Sequence, residues 1–207
     1  MSTCAEVCEW LHRHLGSLRT FSYPFDVAAL PSNGIYFFYE KGEVCGHDST
    51  KPRIVRVGTH RDGNFRSRIG DHFLLNERKM VFTREHPRPH DRSIFRCHVG
   101  AALLHKARDS YLSVWEMNLT TREKRDAYRH LRDIDKEVTI EREVTQMLRQ
   151  NFSFKFIEIG DQMQRMGSQG LSQHLLERCQ DVRSVPHQRA GLDVAHLRCK
   201  FVRADYG

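Results

Sequence analysis

The 207 residues carry 33 Lys and Arg against 26 Asp and Glu, a formal net charge of +7 at pH 7. A chain of this length can bury one sizeable core, and its basic balance favours an anionic partner without fixing fold or chemistry. No apolar run approaches a membrane span, and the start MSTCAEVCEW lacks the basic and then apolar regions of a secretion signal. These features predict a soluble protein of the cytoplasm and exclude a membrane-spanning one.

The six cysteines and thirteen histidines do not form a recognisable metal centre. No C-x-x-C pair occurs, which argues against a zinc ribbon and a disulfide scaffold, so the cysteines are interpreted as reduced thiols. Cys45-x-His47 and His86-x-x-x-His90 could each ligate a metal, but neither pair has a partner at structural zinc spacing. Solvated loop histidines are the favoured interpretation.

Apolar residues at helical spacing predict an amphipathic helix over residues 5–16, which would pack as a lid on the core. The residues on its apolar face are Val7, Trp10, Leu11 and Leu15. Residues 21–32 contain two prolines and show no period, so they are interpreted as an irregular connection.

Two runs of β-branched and aromatic residues follow, from Ile35 to Tyr39 and from Arg53 to Val57. They predict an antiparallel pair of strands. Gly58 ends the second strand, where a missing Cβ would let another group come close to the backbone. A helix is predicted from about residue 64 to residue 75, and the basic residues 76–93 are predicted to form an exposed loop along which a phosphate backbone could lie.

The second half of the chain is mainly helical by pattern. Its predicted elements are a helix over residues 94–106, a short strand or edge segment at 112–115, a charged helix capped by Thr120-Thr121 that breaks near 133–137, a helix over 139–151 and a strand over 152–159. Beyond residue 160 the pattern predicts only a short helix at 171–179. We therefore predict one domain over residues 1–160 and an extension over residues 161–207.

Four short signatures occur in a fixed order along these elements. They are Gly34-Ile35-Tyr36 on the first strand, Val57-Gly58 at the end of the second, Arg68 and His72 four residues apart on one helix face, and a glutamate on a later helix. In this order they resemble the GIY-YIG nuclease superfamily over about residues 33–159. The resemblance implies an α+β (α/β) fold with a small mixed three-stranded sheet flanked by helices, here with extra helical segments at both ends.

The resemblance also implies a reaction, the hydrolysis of a DNA phosphodiester with one Mg²⁺ or Mn²⁺ ion per site. Tyr36 would act as the base or orient the attacking water, and Arg68 would stabilise negative charge on the phosphate. His72 would take part in proton transfer or phosphate contact, and a helical glutamate would hold the cation. These residue types suit the chemistry, because phosphodiester hydrolysis needs a polarised water and countercharge, and a hard carboxylate suits magnesium.

Two glutamates compete for the metal. Glu141 and Glu143 flank the apolar stripe of the predicted helix on opposite shoulders, so periodicity leaves both open. In the family the glutamate is followed eleven and twelve residues later by an aromatic residue and an asparagine. Glu143 places Phe154 and Lys155 at these positions, and we therefore prefer Glu143 as the catalytic glutamate and the metal ligand.

The expected substrate contacts are Arg56, His60, Arg61 and Lys155. Arg56 and Lys155 stand where the family has a tyrosine and an asparagine, which leaves open a catalytically degenerate nucleic-acid-binding protein of the same fold. An RNA-directed nuclease and a homo-oligomer are also left open.

Each predicted site residue also has a purely structural interpretation. Tyr36 could pack in the core, Arg68 and His72 could belong to a solvated helix face, and Glu143 could form a surface salt bridge. A kinase, a metalloprotease or a serine hydrolase is set aside because the chain has no phosphate-loop, H-E-x-x-H, G-x-S-x-G or dinucleotide motif.

Overall fold

The computed structural model describes residues 4–45, 48–161, 164 and 167 of the chain. These residues fold into two compact units. The first unit holds the described residues up to Ser67 and those from Arg149 onward, and the second holds Arg68 to Leu148. Nearly all of the predicted extension, including the predicted helix at 171–179, lies outside the described residues.

Six α-helices and four strands occur in the described residues. The helices are α1 (Cys4–Gly16), α2 (Phe65–Phe73), α3 (Ile94–Lys106), α4 (Leu112–Trp115), α5 (Arg122–Tyr128) and α6 (Ile134–Asn151). The strands are β1 (Phe21–Ser22), β2 (Ile35–Val44), β3 (Pro52–Gly58) and β4 (Phe152–Ile157). None of the helices in this part of the chain has the length and apolar composition needed to cross a lipid bilayer.

The four strands form one sheet in the order β1-β4-β2-β3. The sheet thus has one strand more than predicted. Every neighbouring pair is antiparallel, so the sheet is not mixed. The additional strand is β1, in which Phe21 pairs with Phe154 and Ser22 with Ser153. Two residues are too few to show an alternating pattern, which is why this strand lies hidden in a stretch predicted to be irregular.

Helix α1 covers one face of the sheet, as predicted. Its Leu11 and Leu15 form a core with the alternating residues Ile35, Phe37 and Tyr39 of β2. Ile54 and Val57 of β3 join this core across a shift in the strand register. Trp10 does not join this core. It is 55% exposed, and its ring lies 4.1 Å from the His14 ring. The side chain of Val7 lies outside the described residues.

The second unit begins within α2. The predicted helix over 94–106 is confirmed as α3, and Ser93 caps it by accepting a hydrogen bond from the Arg96 amide. The strand predicted at 112–115 is wrong, because these residues form the one-turn helix α4. Trp115 is fully buried there, and its Nε1 donates to the Cys97 carbonyl at 2.9 Å.

Helix α6 begins at Ile134, five residues before the predicted start at 139. Its first turns are charged, and a hydrophobic pattern interprets charged residues as surface. In the structure, however, Glu137 and Glu141 are both fully buried one turn apart. The inward face of the helix is therefore partly ionic, which hides its beginning from a periodicity analysis.

The stretch 76–93 is only partly the exposed loop that was predicted. Its residues up to His86 are mostly exposed, whereas Arg88, His90 and Ser93 are buried. Burial of such polar residues requires partners within the fold, and these partners belong to the network described below.

Candidate active site

The two strand motifs lie side by side in the first unit. In the antiparallel register of β2 and β3, Tyr36 is opposite Gly58 and Phe37 is opposite Val57. Gly34 enters β2 close to β4, where an added Cβ would lie 2.6 Å from the Ile157 carbonyl oxygen. A side chain at position 34 would therefore push apart the strands that present the motif.

The phenol of Tyr36 lies directly over Gly58. Tyr36 is 0% exposed, and an added Cβ at Gly58 would collide with its ring and hydroxyl. Phe38 and Phe65 meet the same ring edge-on, with centroids 5.4 Å and 6.1 Å away. The prediction that Gly58 admits a close neighbour is confirmed, and the neighbour is Tyr36. The aromatic packing holds the phenol in one orientation beside the end of β3.

His60 ties the loop after β3 to the start of β2. Its Nε2 lies 3.0 Å from the Gly34 amide nitrogen, and its Nδ1 lies 2.5 Å from the Arg61 carbonyl oxygen. An imidazole protonated on Nδ1 satisfies both contacts, because Nδ1 then donates and Nε2 accepts. His60 thus holds the motif strands in place, while the neighbouring Arg61 side chain is exposed.

Arg56 and Lys155 lie on opposite faces of the sheet. Arg56 is opposite Phe38 in the register and shares the face of Tyr36, whereas Lys155 is opposite Phe37 and shares the face covered by α1. There the Lys155 ammonium donates to the Leu15 carbonyl at 2.7 Å. The structure therefore brings Arg56 to the face of Tyr36 and places Lys155 on the other.

Arg68 and His72 begin the second unit on α2. The Arg68 guanidinium donates to the Arg92 carbonyl at 2.7 Å, and its Nε is buried without a hydrogen-bond partner. No carboxylate among the described residues pairs with Arg68. Since a guanidinium carries five N–H donors, most of its capacity to bind an anion is unused by this part of the chain.

His72, one turn later on α2, is buried and does not reach the surface. It is 0% exposed, and its Nδ1 lies 2.6 Å from the Ser93 hydroxyl. Its ring meets Phe95 edge-on at 5.8 Å, and its carbonyl accepts from Arg96 at 3.1 Å. His72 therefore joins α2 to the beginning of α3.

Both carboxylate oxygens of Glu141 form hydrogen bonds within the second unit. Its Oε1 accepts a hydrogen bond from the His90 amide at 2.8 Å and lies 2.8 Å from His90 Nδ1. Its Oε2 accepts from Arg96 Nη2 at 2.5 Å and from Nε at 3.1 Å. Burial alone raises the pKa of Glu141, but the charge of Arg96 and the hydrogen bond from His90 outweigh burial and lower that pKa below its ordinary value.

Two further buried ion pairs lie in the same unit, and sequence reasoning missed all three pairs. Arg88 pairs with Asp91 at 2.9 Å, and Arg132 pairs with Glu137 at 2.6 Å. His90 stacks on Trp115 with ring centroids 3.7 Å apart. The four-residue spacing of the two buried glutamates was visible in the sequence, but no pattern identifies which arginines reach them.

Glu143 differs from Glu141 in its exposure and in its partners. It is exposed, and no described residue forms a hydrogen bond or an ion pair with it. No group of three or more His, Cys, Asp or Glu side chains within the described ranges is arranged to hold a metal ion. Mg²⁺ is nevertheless often bound through one or two carboxylates, waters and substrate phosphate oxygens. Glu143 fits such a donor set, whereas Glu141 has no oxygen left for a cation.

A family model described as the GIY-YIG domain matches residues 2–178, which is most of the chain. The chain belongs to the GIY-YIG domain family. Its α+β fold is therefore of the nuclease type, and nucleases with a GIY-YIG domain act on nucleic acid. No curated protein and no solved structure matches the chain.

The predicted site residues of this GIY-YIG domain are divided between the two compact units. Tyr36, Arg56, His60, Arg61 and Lys155 belong to the first unit, and Arg68, His72 and Glu143 belong to the second. Their roles in the reaction stay predictions.

We expect Gly58→Ala to destabilise the GIY-YIG domain by about 1–3 kcal/mol, because the new methyl group overpacks the fixed ring of Tyr36. Urea unfolding measures the change. Gly70→Ala is the matched control: an added Cβ there meets no atom within 4 Å, and the substitution gains up to about 1 kcal/mol of helix propensity. Equal stabilities for the two variants would contradict the packing described for Tyr36.

Two neighbouring substitutions on α6 should differ sharply in stability. Glu141→Gln leaves Arg96 buried without its counter-charge and should cost about 3–5 kcal/mol. Glu143→Gln alters an exposed side chain and should change stability by less than about 0.5 kcal/mol. Both free energies of unfolding come from urea titrations at pH 7. A cost for Glu143→Gln as large as that for Glu141→Gln would refute this assignment.

Stability should fall in acid. Because the pKa of Glu141 lies below its ordinary 4.5 in the fold, the carboxylate contributes stability above that pH, and this contribution is lost as the pH falls through the lowered pKa. The pKa of Asp91 is also lowered, since hydrogen bonds from Arg88 outweigh its burial. Urea unfolding at stepped pH should show a decline below about pH 4.5. The decline should be shallower for Glu141→Gln, and identical slopes would contradict the prediction.

Proposed function

We propose that this protein is a metal-dependent endonuclease that hydrolyses phosphodiester bonds of DNA. The proposal rests on the direct pairing of the two motif strands, which fixes Tyr36 over Gly58, in a chain of the GIY-YIG family. The other proposed groups are Arg68 and Glu143. The free thiol of Cys97 suits the reducing conditions of the cytoplasm, where we place the activity.

Arg68 is proposed to bind the scissile phosphate. Its guanidinium has no carboxylate partner among the described residues, and its Nε is buried without a hydrogen bond. An arginine in this state can donate two parallel hydrogen bonds to phosphate oxygens. Such donors lower the barrier when they bind the extra negative charge of the transition state more tightly than that of the substrate.

Glu143 is proposed to hold one Mg²⁺ or Mn²⁺ ion through its exposed carboxylate. Bound there, the cation would supply Lewis-acid stabilisation of a phosphate oxygen and favour a deprotonated water. Glu141 cannot substitute for it, because both of its oxygens are engaged by Arg96 and His90.

Tyr36 is proposed to orient the attacking water or to take its proton. The aromatic cage of Phe38 and Phe65 supports the first task, since a fixed hydroxyl needs no reorganisation during the reaction. His72 is fully buried against Ser93. We therefore assign it a positioning role, in which it fixes the helix that carries Arg68, rather than contact with the substrate.

A second candidate is a protein that binds nucleic acid without cleaving it. The specific observation in its favour is that Tyr36 and His72 are both 0% exposed. The substitutions at Arg56 and Lys155 point the same way. Such a protein would show salt-sensitive binding and no metal-dependent product.

The test is cleavage of plasmid and single-stranded DNA in Mg²⁺ and in Mn²⁺. Glu143→Ala and Arg68→Ala should each lower the rate about 10²–10³-fold, and Tyr36→Phe by at least about 10²-fold, because each removes a group that acts in the reaction. Glu123→Ala and Tyr128→Phe are matched controls in exposed or half-exposed positions and should retain the activity of the wild type.

The combined variant Arg68→Ala with Glu143→Ala decides whether the two residues serve one reaction. If they do, the double substitution should lose much less than the product of the two single losses. Equal rates in the wild type and all three site variants would discard the proposal. Salt-dependent binding without any product would favour the second candidate, and preferential cleavage or competition by RNA would redirect the substrate to RNA.

A further inference from the structure

A cavity of about 340 Å³ lies in the first unit, between the end of α1 and the strands β2, β3 and β4. It is on the face of the sheet that carries Phe37 and Tyr39, opposite the face of Tyr36. Its volume falls in the range of small-molecule pockets, about 300–1,000 Å³. The cavity is thus separate from the residues proposed for DNA cleavage.

The lining of this cavity combines basic side chains with apolar residues such as Leu15 and Pro52. It includes Lys51, Lys155, Arg13 and His12, with Glu9 as the acidic member. Arg13 pairs with Glu9 at 3.2 Å, and Lys51 pairs with Asp48 at 3.0 Å, in bridges that are partly or largely exposed. Exposed bridges of this kind are weak and exchange readily for other partners.

Lys155 differs from the other cations. Its ammonium donates to the carbonyls of Leu15 at 2.7 Å and Gly16 at 3.4 Å, at the end of α1. No carboxylate among the described residues pairs with it. An ammonium has three N–H donors, so Lys155 keeps a full positive charge and one further donor at the cavity.

Tyr39 adds a neutral donor from the floor of the cavity. It is 6% exposed, and its hydroxyl makes no hydrogen bond with any residue in the described part of the chain. Burial raises the pKa of Tyr39, so the phenol stays protonated and able to donate. Tyr39 lines the cavity, so this hydroxyl is available to a ligand bound there.

The basic groups at the cavity are held at some cost in hydration. Burial lowers the pKa of Lys155, and burial followed by the charge of Lys51 lowers the pKa of His12. Asp48 partly offsets the lowering at His12, whereas burial is the one cause of the lowering at Lys155, whose protonated form no nearby carboxylate favours. An anion seated among these groups would relieve both effects.

The geometry points to a phosphate-binding site in this cavity, in which Lys155 and Lys51 supply charge and Tyr39 and His12 supply hydrogen bonds. A doubly charged anion with several acceptor oxygens suits convergent cations and single donors better than a carboxylate does. The room beyond one phosphate group favours a phosphate monoester, carried either on a free small molecule or on the end of a nucleic-acid strand. This inference is independent of the proposed nuclease activity.

The experiment is calorimetric titration of the full-length protein in EDTA. The probes are inorganic phosphate and a short single-stranded oligonucleotide prepared with either a 5′-phosphate or a 5′-hydroxyl end. Lys155→Met, Lys51→Gln and Tyr39→Phe should each weaken binding of phosphate or of the phosphorylated strand at least 10-fold. Lys41→Gln is the matched control, because Lys41 is exposed on β2 and does not line the cavity.

The arms identify the source of the phosphate. Tighter binding of the 5′-phosphate strand than of both the 5′-hydroxyl strand and inorganic phosphate would assign the site to strand ends. An affinity for inorganic phosphate equal to that for the 5′-phosphate strand would assign it to small ligands. Lys51→Gln and Tyr39→Phe keep the test decisive if Lys155→Met weakens the end of α1. No saturable binding in the wild type, or binding unchanged in Lys51→Gln and Tyr39→Phe, would overturn the inference.

The titration is repeated with Glu143→Ala to separate this site from the proposed nuclease. Binding in EDTA should be unchanged in that variant, whether or not it cleaves DNA. Loss of phosphate binding in Glu143→Ala would show that the ligand occupies the proposed catalytic residues and would refute a separate cavity site.

Discussion

The second compact unit depends on the buried ion pair between Glu141 and Arg96. Removing two charges from water costs several kcal/mol per ion, and their attraction repays that cost only when further hydrogen bonds complete the geometry. Here the carboxylate also accepts from His90, and the guanidinium also donates to the carbonyl of His72. The same solution recurs in Arg88 with Asp91 and in Arg132 with Glu137. The interior of this unit is therefore specified by directional polar contacts as well as by apolar packing.

This arrangement explains why two glutamates only two residues apart have different chemical capacities. A helical offset of two residues turns Glu143 away from the face that carries Glu141. One carboxylate is used to neutralise an interior arginine, and the other reaches solvent with no partner among the described residues. A proposed metal ligand and a structural counter-ion thus occupy one short segment, because burial decides which oxygens are available.

The sequence predicts those parts of the fold in which local pattern and tertiary structure agree. The antiparallel pairing of β2 with β3 follows from two runs of β-branched and aromatic residues, the close approach at Gly58 follows from its missing Cβ, and helix α3 follows from its apolar residues. The pattern fails where an element is too short to show a period, as in β1 and α4. It fails again where charge is buried, as at Glu137 and Arg88, because the partners are distant in the chain and no local signal reports them. For the same reason the sequence could name Lys155 as a basic residue of interest but not the face of the sheet on which it lies.

Arg132 fixes the backbone of residues 83–86, a loop that is distant from it in the sequence. Its Nη1 donates to three backbone carbonyls, those of Thr83, Arg84 and His86, at distances of 2.9 to 3.0 Å. The side chains of these residues remain exposed. One interior cation therefore sets the backbone of a segment that has neither helix nor strand, and the conformational entropy of that segment is lost during folding. A ligand that contacts Arg84 meets a preorganised surface and has little ordering left to impose, which is the condition for favourable association from few contacts.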